Sequence, residues 1–322
     1  MQTAGGASWR GPAQGSGPPL GLGLGARGLG LSLRPMLRVP AATATTQRLP
    51  PQALFILGAI SQYVGAALAV LLFASVPAAG VAWLRVVSSA AVLVAWRRPW
   101  QTAWTAARLR LVTAFGLTLA TMNVAFYLAI DRLPLGTAVA IEFCGPIAVA
   151  ALGSRTRRDL GVLALATAGV LLLADVHLAG SPDGLALAVA AGVAWAGYIV
   201  LGHRMAADAG IRPQDGLALG MAIGACGFAP ILVVSAVPAF VSPPLLAACL
   251  AVGVASSVVP YALEQIAMRR LPRARFALLL ALLPATAAII GALILGQVPG
   301  LVEAAGIGLV VGASLLRSHE SL

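Results

Sequence analysis

The chain has 322 residues, of which 60% are hydrophobic and only 10% are charged, and its mean hydropathy is +0.94. A soluble domain carries about a quarter of its residues as charged side chains, so this composition excludes a water-soluble protein and predicts an all-α polytopic membrane protein. The net charge of +11 comes from arginines that lie between apolar segments, which argues against a nucleic-acid partner and is typical of charge that fixes membrane orientation.

The first fifty residues differ from the rest of the chain. Residues 1–50 are rich in Gly, Pro, Ala and Arg and contain no acidic residue. They include a GxGxxG pattern at Gly23, Gly25 and Gly28, but no strand pattern precedes it, so we predict no nucleotide site there. This composition predicts a disordered cytoplasmic tail.

From Pro51 onward, apolar segments of membrane-spanning length follow one another with short breaks. The predicted spans are 52–73, 77–96, 110–130, 134–153, 159–176, 184–202, 216–237, 244–268, 274–295 and 299–316. If the N-terminus lies in the cytoplasm, this arrangement places nineteen of the 21 arginines on the cytoplasmic side. The arginine distribution therefore predicts ten transmembrane helices with both termini in the cytoplasm.

The chain contains an internal repeat. AIDRLP at 129–134 returns as AMRRLP at 267–272, and the same offset brings Pro146 onto Pro284. Each half then has five helices, an odd number, so the second copy is inverted in the membrane relative to the first. We predict five-helix repeats over 51–176 and 183–317, an arrangement typical of alternating-access transporters. Chance similarity between two apolar helices is the alternative.

A single carboxylate, Glu142, lies inside the fourth predicted span, and Gly145 and Pro146 follow it. A charge inside a membrane span is costly and usually faces a cavity or a partner. Proline removes a backbone donor and opens a break in the helix. Acid and break together predict a transport site in which Glu142 exchanges a proton or binds a substrate amine. The alternative is a neutral, hydrogen-bonded contact between helices.

Two further charges lie within predicted spans. Glu264 follows Pro260 and shares a helical face with Ser257 and Tyr261, which predicts a polar path. Pairing of Glu264 with Arg269 is an equal alternative. Arg85 is the base placed well inside a span, and we predict that it binds a substrate carboxylate or acts as counter-ion to Glu142. Extension of this long side chain to the membrane surface is the alternative.

Several weaker candidates are polar or aromatic side chains inside the predicted spans, where they suit the wall of a cavity. These are Asn123, Tyr127, Trp195 and Gln62. The helix-breaking positions predict hinges at Pro146, Pro284, Pro260 and Gly145.

Enzyme chemistry is not indicated. The chain has no HExxH motif, no lysine and no Walker-type glycine loop, and its cysteines, Cys144, Cys226 and Cys249, form no metal-binding pattern. We therefore predict no catalytic residue, no cofactor and no metal site, and transport driven by an ion gradient.

The run MNVAFYLAIDRLPLGTAVAIEFCGPIAVAALGSR, together with SSVVPYALEQIAMRRLPRARFALLLALLPATAAIIGALILG, resembles the drug/metabolite transporter superfamily. Within it, the chain is similar to the threonine/homoserine exporter branch of the EamA-domain family over residues 52–316. The resemblance implies a ten-helix, two-repeat exporter of small amino acids in a bacterial inner membrane, working by proton antiport. Relatives of this branch usually carry Glu where this chain has Leu283 and Gln297.

The sequence thus predicts a secondary active transporter whose partners are a small-molecule substrate, protons and the lipid bilayer, and it leaves a homodimer open. A broad-specificity drug/metabolite exporter is the first alternative, because the acid expected at Leu283 is missing. A non-transporting membrane scaffold or sensor is the second. A buried charge with no function would only destabilise such a scaffold.

Overall fold

The computed structural model describes residues 49–154, 157–177, 181–271 and 279–318. Within these ranges every regular element is helical. Residues 1–48 of the predicted tail lie outside the described part of the chain.

The helices of the first half follow the predicted apolar segments closely. They are α1 (Pro51–Leu72), α2 (Ala78–Arg97), α3 (Ala106–Ile130), α4 (Leu135–Glu142), α5 (Cys144–Ser154) and α6 (Arg157–His177). The helices of the second half are α7 (Pro182–Ala207), α8 (Pro213–Leu232), α9 (Val237–Phe240), α10 (Pro243–Gly253), α11 (Val259–Arg270), α12 (Leu283–Leu295) and α13 (Leu301–Ser318). A π-helical turn, Val254–Val258, joins α10 to α11.

Six helical segments in the described ranges have the length and apolar composition needed to cross a membrane. They are Pro51–Leu72, Ala78–Arg97, Ala106–Ile130, Pro182–Ala207, Pro213–Leu232 and Pro243–Glu264. Four shorter apolar helices accompany them. The prediction of an all-α polytopic membrane protein is confirmed at this level, whereas the count of ten spans and their inversion stay predictions.

The seventh predicted span, 216–237, is shorter than expected. Helix α8 ends at Leu232, and the apolar residues after it form a 3₁₀ turn, Val234–Ala236, and the short helix α9. Proline lacks an N–H and fits best in the first turn of a helix. Pro238 therefore stands at the start of α9 rather than inside a longer helix.

Helices of the first half pack mainly against helices of the second half. Helix α3 lies along α7 and α8, α2 packs on α8, and α1 packs on α11 and α12. The α3–α8 contact is close, since a Cβ added to Gly224 would lie 2.6 Å from the carbonyl oxygen of Gly116. Small residues allow membrane helices to approach in this way. Side chains from both halves are thereby brought around shared cavities.

Ion pairs to a buried aspartate, Asp215, join the α2–α3 loop to the α7–α8 loop at the arginine-rich end of the helices. Asp215 is fully buried and accepts hydrogen bonds from Arg97 Nε (3.1 Å) and Thr102 Oγ1 (2.9 Å). Arg212 Nε lies 2.7 Å from Asp215 Oδ2. Asp215 also lies in the first turn of α8, where a negative charge is favourable. These contacts hold the two connections together.

A second pair, between Arg108 and Asp208, is more exposed, and we expect it to contribute to stability in a pH-dependent way. The hydrogen bond from Arg108, with that from the Gly210 N–H, holds the pKa of Asp208 below its usual value of 3.8. A carboxyl group whose pKa is lowered by folding stabilises the protein fully above the unfolded pKa, and this contribution is lost as pH falls through the folded pKa. Replacing Asp208 by Asn should therefore lower the thermal unfolding midpoint at neutral pH by about 1 °C, as for other exposed pairs.

Thermal unfolding of both proteins in detergent, from neutral pH to about pH 3, measures this effect. The difference between wild type and Asp208→Asn should become smaller as the pH falls below 3.8. A difference of the same size at both pH values would show that the ion pair is not its source.

Candidate functional site

A cavity of about 60 Å³ lies between α1, α2, α3, α4 and α7. We call it the Glu142 cavity. This volume is enough for a few water molecules. Its lining residues are Gln62, Tyr63, Ala66, Arg85, Met122, Asn123, Phe126, Glu142 and Trp195. Five of the residues predicted from the sequence, Gln62, Arg85, Asn123, Glu142 and Trp195, therefore share one cavity.

Glu142 is the last residue of α4 and is only 7% exposed. The helix stops at Phe143 because Pro146 has no N–H to donate to the Glu142 carbonyl group four residues earlier. The break is buried against α7, where a Cβ added to Gly192 would lie 2.9 Å from that carbonyl oxygen. Among the described residues no hydrogen bond or ion pair engages the Glu142 carboxyl group. That group is therefore free to bind a proton or a cation from the cavity.

Arg85 lies on α2 and is 8% exposed. Its Nε donates to Ser257 Oγ (3.0 Å) and its Nη2 donates to the Ser256 carbonyl oxygen (3.1 Å). Its guanidinium carbon lies 5.0 Å from the centre of the Tyr127 ring, a cation–π distance. These contacts are inconsistent with extension to the membrane surface. Since a guanidinium group has five N–H donors, others remain for a ligand in the cavity.

The π-helical turn between α10 and α11 explains why Arg85 is placed there. Pro260 cannot donate to the Ser256 carbonyl group, and the wider turn also leaves the Ala255 carbonyl group without a helical donor. Ser61 of α1 donates to the Ala255 oxygen (2.8 Å), and Arg85 donates to the Ser256 oxygen. Side chains of the first half therefore satisfy the break in the second half, as buried backbone groups require.

Tyr127 and Asn123 lie one turn apart on α3, but only Asn123 lines the Glu142 cavity. Tyr127 is fully buried behind Arg85, and its hydroxyl group lies 3.5 Å from Ser256 Oγ. Asn123 lines the cavity, and its Nδ2 donates to the Leu119 carbonyl oxygen (2.8 Å). Tyr127 thus supports Arg85, whereas the Asn123 side-chain oxygen remains an acceptor for a ligand.

Trp195 reaches the cavity from α7. Its ring packs edge-to-face on Phe143 at 5.4 Å, beside the break after α4. Gln62 is half-buried on α1 and adds an amide group to the same cavity. The cavity therefore combines two opposite charges, two amides and three aromatic rings.

Glu264 and Tyr261 lie outside the Glu142 cavity. Tyr261 lines a second cavity of about 310 Å³ near the α7–α8 connection. Glu264 is half-buried one turn further along α11. The side chain of Arg269, the alternative partner of Glu264, lies outside the described residues. Ser257 bonds to Arg85, so the polar face predicted for α11 does not continue through the π-helical turn.

The predicted hinge prolines stand at comparable places. Pro146 lies in the first turn of α5 and Pro284 in the first turn of α12, each directly after a turn. Pro260 is the second residue of α11. Gly145 packs against the Gly192 carbonyl group, where a side chain would not fit. Residues 272–278 before α12 lie outside the described part of the chain.

Comparison with known proteins assigns the family. The sequence pattern of the EamA-like transporter family matches residues 183–318. The threonine/homoserine exporter RhtA of Salmonella typhimurium strain LT2 is 37% identical over 277 residues, which cover 84% of this chain and 93% of that protein. The chain belongs to the EamA-like transporter family. The RhtA protein of Escherichia coli strain K12 is also 37% identical, over 78% of this chain and 85% of its own length.

A solved crystal structure shares the fold of this EamA-like transporter. The two superpose with a TM-score of 0.53 and cover 84% of this chain and 99% of that chain. Their sequences are only 18% identical. This likeness concerns the fold alone.

Leu283 and Gln297, where the resemblance predicts Glu, have different surroundings in this EamA-like transporter. Leu283 is buried at the start of α12. Gln297 Oε1 accepts a hydrogen bond from the backbone N–H of Leu135 (2.9 Å), the first residue of α4. This N–H has no partner within its own helix. Gln297 therefore caps α4 and connects the two halves.

Sequence reasoning missed Ser61 and Ser256 as contributors to the site, and it placed Ser257 on a polar face with Tyr261 rather than against Arg85. One signal for them was present, because a proline always leaves the carbonyl group four residues earlier without a helical donor. Tyr63 was also missed. It lies among apolar residues on a helix that is apolar on every side, so hydrophobic periodicity does not distinguish its face.

Proposed function

We propose that this EamA-like transporter is a secondary active exporter of small zwitterionic amino acids, of the threonine or homoserine kind, working by proton antiport in a bacterial inner membrane. One observation carries the proposal: a buried carboxyl group, which makes no hydrogen bond or ion pair among the described residues, shares a cavity with a buried guanidinium group. The names of the relatives, which are threonine/homoserine exporters, support the substrate class.

The two charges suit the two ends of an amino acid. Arg85 binds the substrate carboxylate with the donors that are not engaged by Ser256 and Ser257. Glu142 binds the ammonium group, and the amides of Asn123 and Gln62 bind polar atoms of the substrate. A carboxylate that is occupied by an ammonium group cannot hold a proton at the same time. Substrate and proton therefore exclude each other at Glu142, and this exclusion couples outward substrate movement to inward proton movement.

The helices must move for this cycle. Pockets for small molecules usually measure about 300–1,000 Å³, whereas the Glu142 cavity measures about 60 Å³. A substrate is accommodated when helices of the two halves separate on one side of the cavity. This is alternating access.

The proposed frame is ten spans in two inverted five-helix repeats, over 51–176 and 183–317, with both termini in the cytoplasm. The family match over residues 183–318 supports the second repeat. The prolines Pro146 and Pro284, which begin helices directly after turns, support the correspondence between repeats. The arginine distribution supports the orientation.

We expect the paired prolines to act as hinges. Changing both Pro146 and Pro284 to Ala restores a helical donor at each break, and each restored hydrogen bond contributes about 1 kcal/mol. The helices then bend less easily at these two positions, and we expect transport to slow by about tenfold. This corresponds to an increase of about 1.4 kcal/mol in the activation free energy of the conformational change. Initial efflux rates from proteoliposomes measure this change. Pro51→Ala, at the first residue of α1, is the matched control, and equal rates for the double variant and this control would remove the hinges from the mechanism.

A substrate panel tests the proposed function itself. Proteoliposomes would be loaded with one labelled compound: threonine, homoserine, isopropanolamine, which lacks the carboxylate, or β-hydroxybutyrate, which lacks the amine. We expect threonine and homoserine to be exported and both analogues to be retained, because Glu142 and Arg85 must be satisfied together. Export of the analogues at the same rate would contradict recognition of a zwitterion.

A broad-specificity drug/metabolite exporter is the second candidate, and the buried Leu283 favours it, because an acid there would narrow the choice of substrate. Export of apolar cations in the same assay, without export of threonine, would support this candidate. Absence of any flux from folded protein would support a membrane scaffold or sensor.

A further inference from the structure

An apolar groove of about 350 Å³ runs along the surface of the helix pair α2 and α8. We call it the α2–α8 groove. Its lining residues extend from Trp83 to Val94 on α2 and from Ala222 to Ala229 on α8, and their side chains are apolar. Ala91 and Cys226, one from each helix, are exposed. Since both helices have the length and composition of membrane spans, the groove opens toward lipid.

The groove has the depth of one leaflet of a bilayer. The stretch of α2 from Trp83 to Val94 is about 16 Å long, at 1.5 Å per residue. The hydrocarbon core of a bilayer is about 30 Å thick, so each leaflet contributes about 15 Å. At the end of this stretch, Trp83 joins the two helices, because its Nε1 donates to the Ala225 carbonyl oxygen (2.8 Å). The groove therefore suits one acyl chain.

The other end of the groove lies at the level of the lipid headgroups. Val94, the last lining residue of α2, is followed one turn later by Arg97 and Arg98. Trp96 and Trp100 flank these arginines and are 39% and 64% exposed. Exposed tryptophans beside arginines are typical of the boundary between membrane and water.

Positive charge is in excess at this level. Asp215 binds both Arg97 and Arg212, so one carboxylate stands against two guanidinium groups. Arg98 is exposed, and no ion pair engages it within the described ranges. Guanidinium groups bind phosphate oxygens well, and clusters of arginines beside membrane helices favour anionic lipids.

We propose that the α2–α8 groove binds an anionic phospholipid, with one acyl chain along the groove and its phosphate group at Arg98 and Arg97. This site is separate from the Glu142 cavity and goes beyond the proposed function. A second copy of this chain suits the groove less well, because a two-fold contact through this face brings two positive clusters together. The orientation proposed above places the lipid in the cytoplasmic leaflet.

Lipid titration of the full-length protein in detergent, followed by native mass spectrometry, tests the headgroup contact. Phosphatidylglycerol should bind about tenfold more tightly than phosphatidylcholine with the same acyl chains. Arg98→Gln should weaken phosphatidylglycerol binding about fivefold, the effect of one charge near a headgroup. Arg110→Gln, at another exposed arginine, is the matched control and should bind as wild type does. Equal affinity for the two lipids, or an equal loss in both variants, would overturn the inference.

A second pair of variants tests the acyl-chain contact. Ala91→Phe places a large side chain in the groove at an exposed position, so it should reduce phosphatidylglycerol binding at least about tenfold without disturbing helix packing. Ala190→Phe, at an exposed position of α7 outside the groove, should leave binding unchanged. If the two variants bound phosphatidylglycerol equally well, the groove would not hold the acyl chain.

Photocrosslinking locates the lipid in a bilayer. Phosphatidylglycerol with a diazirine in the middle of one acyl chain should label peptides that contain residues 83–94 and 222–229. Labelling spread evenly over the exposed residues of α7 as well would overturn the inference. Cys226 lines the groove, and crosslinking of two chains through this residue by a short bis-maleimide would show that a second copy occupies the groove instead.

Discussion

Replacing Glu142 by Gln is expected to reduce pH-gradient-driven efflux of threonine by about 100-fold. Gln keeps the size of the side chain but neither exchanges a proton nor attracts an ammonium group. Loss of one partner from a buried charged interaction costs about 3 kcal/mol, and each 1.4 kcal/mol is about tenfold. Because Glu142 is 7% exposed, no water replaces the lost interaction fully. Initial rates in proteoliposomes with an acidic outer medium measure the change.

Asp131→Asn is the control for this substitution, because it makes the same chemical change at a residue whose side chain is 38% exposed. The control should transport as wild type does. If Glu142→Gln retained gradient-driven efflux within about twofold, a difference of less than about 0.5 kcal/mol, Glu142 would not be the coupling acid.

The second large effect is expected at Arg85. Lys keeps the positive charge, but its donors all lie on one nitrogen, which cannot replace the two separate nitrogens with which Arg85 binds Ser257 Oγ and the Ser256 carbonyl oxygen. A buried hydrogen bond to a charged group contributes about 1.5–3 kcal/mol. Losing one such bond, and with it the fixed orientation over Tyr127, should reduce threonine efflux by at least about tenfold.

The KM for threonine identifies the cause. Because Arg85 binds the substrate carboxylate, Arg85→Lys should raise the KM. Arg132→Lys, at an exposed pair with Asp131, should change neither the KM nor the maximal rate. An unchanged KM with a reduced maximal rate would show that Arg85 only holds the π-helical turn and does not touch the substrate.

Much of the candidate site was predictable because charge inside an apolar segment is rare. Glu142 and Arg85 stand out in spans with almost no other charge, and the high cost of burying them predicts a shared cavity. The break after Glu142 was predictable for the same reason, since Pro146 removes a hydrogen bond wherever it stands in a helix. The composition likewise predicts the all-α membrane fold.

Other features depend on partners that are distant in the sequence. Ser61 lies 194 residues from Ala255, whose carbonyl group it binds. The π-helical turn itself has no sequence pattern, because it exists only where such partners satisfy the carbonyl groups that it exposes. The cap that Gln297 gives to Leu135 spans 162 residues and depends in the same way on how the halves pack.

The placement of Tyr261 also could not be predicted from the sequence, because it depends on the π-helical turn. Helical spacing places Ser257 and Tyr261 on one face, but the π-helical turn ends at Val258, between these two residues, and changes the register. Ser257 therefore faces Arg85, whereas Tyr261 lines the second cavity, near the α7–α8 connection. Periodicity predicts a helical face only while the helix remains regular.

The most direct test is to follow threonine and protons in the same wild-type proteoliposomes. The vesicles would contain labelled threonine and a pH-sensitive dye, with no imposed pH gradient at the start. Proton antiport predicts that threonine efflux down its own concentration gradient acidifies the lumen, and that Glu142→Gln abolishes this acidification. Threonine efflux with no change in lumenal pH would contradict the account.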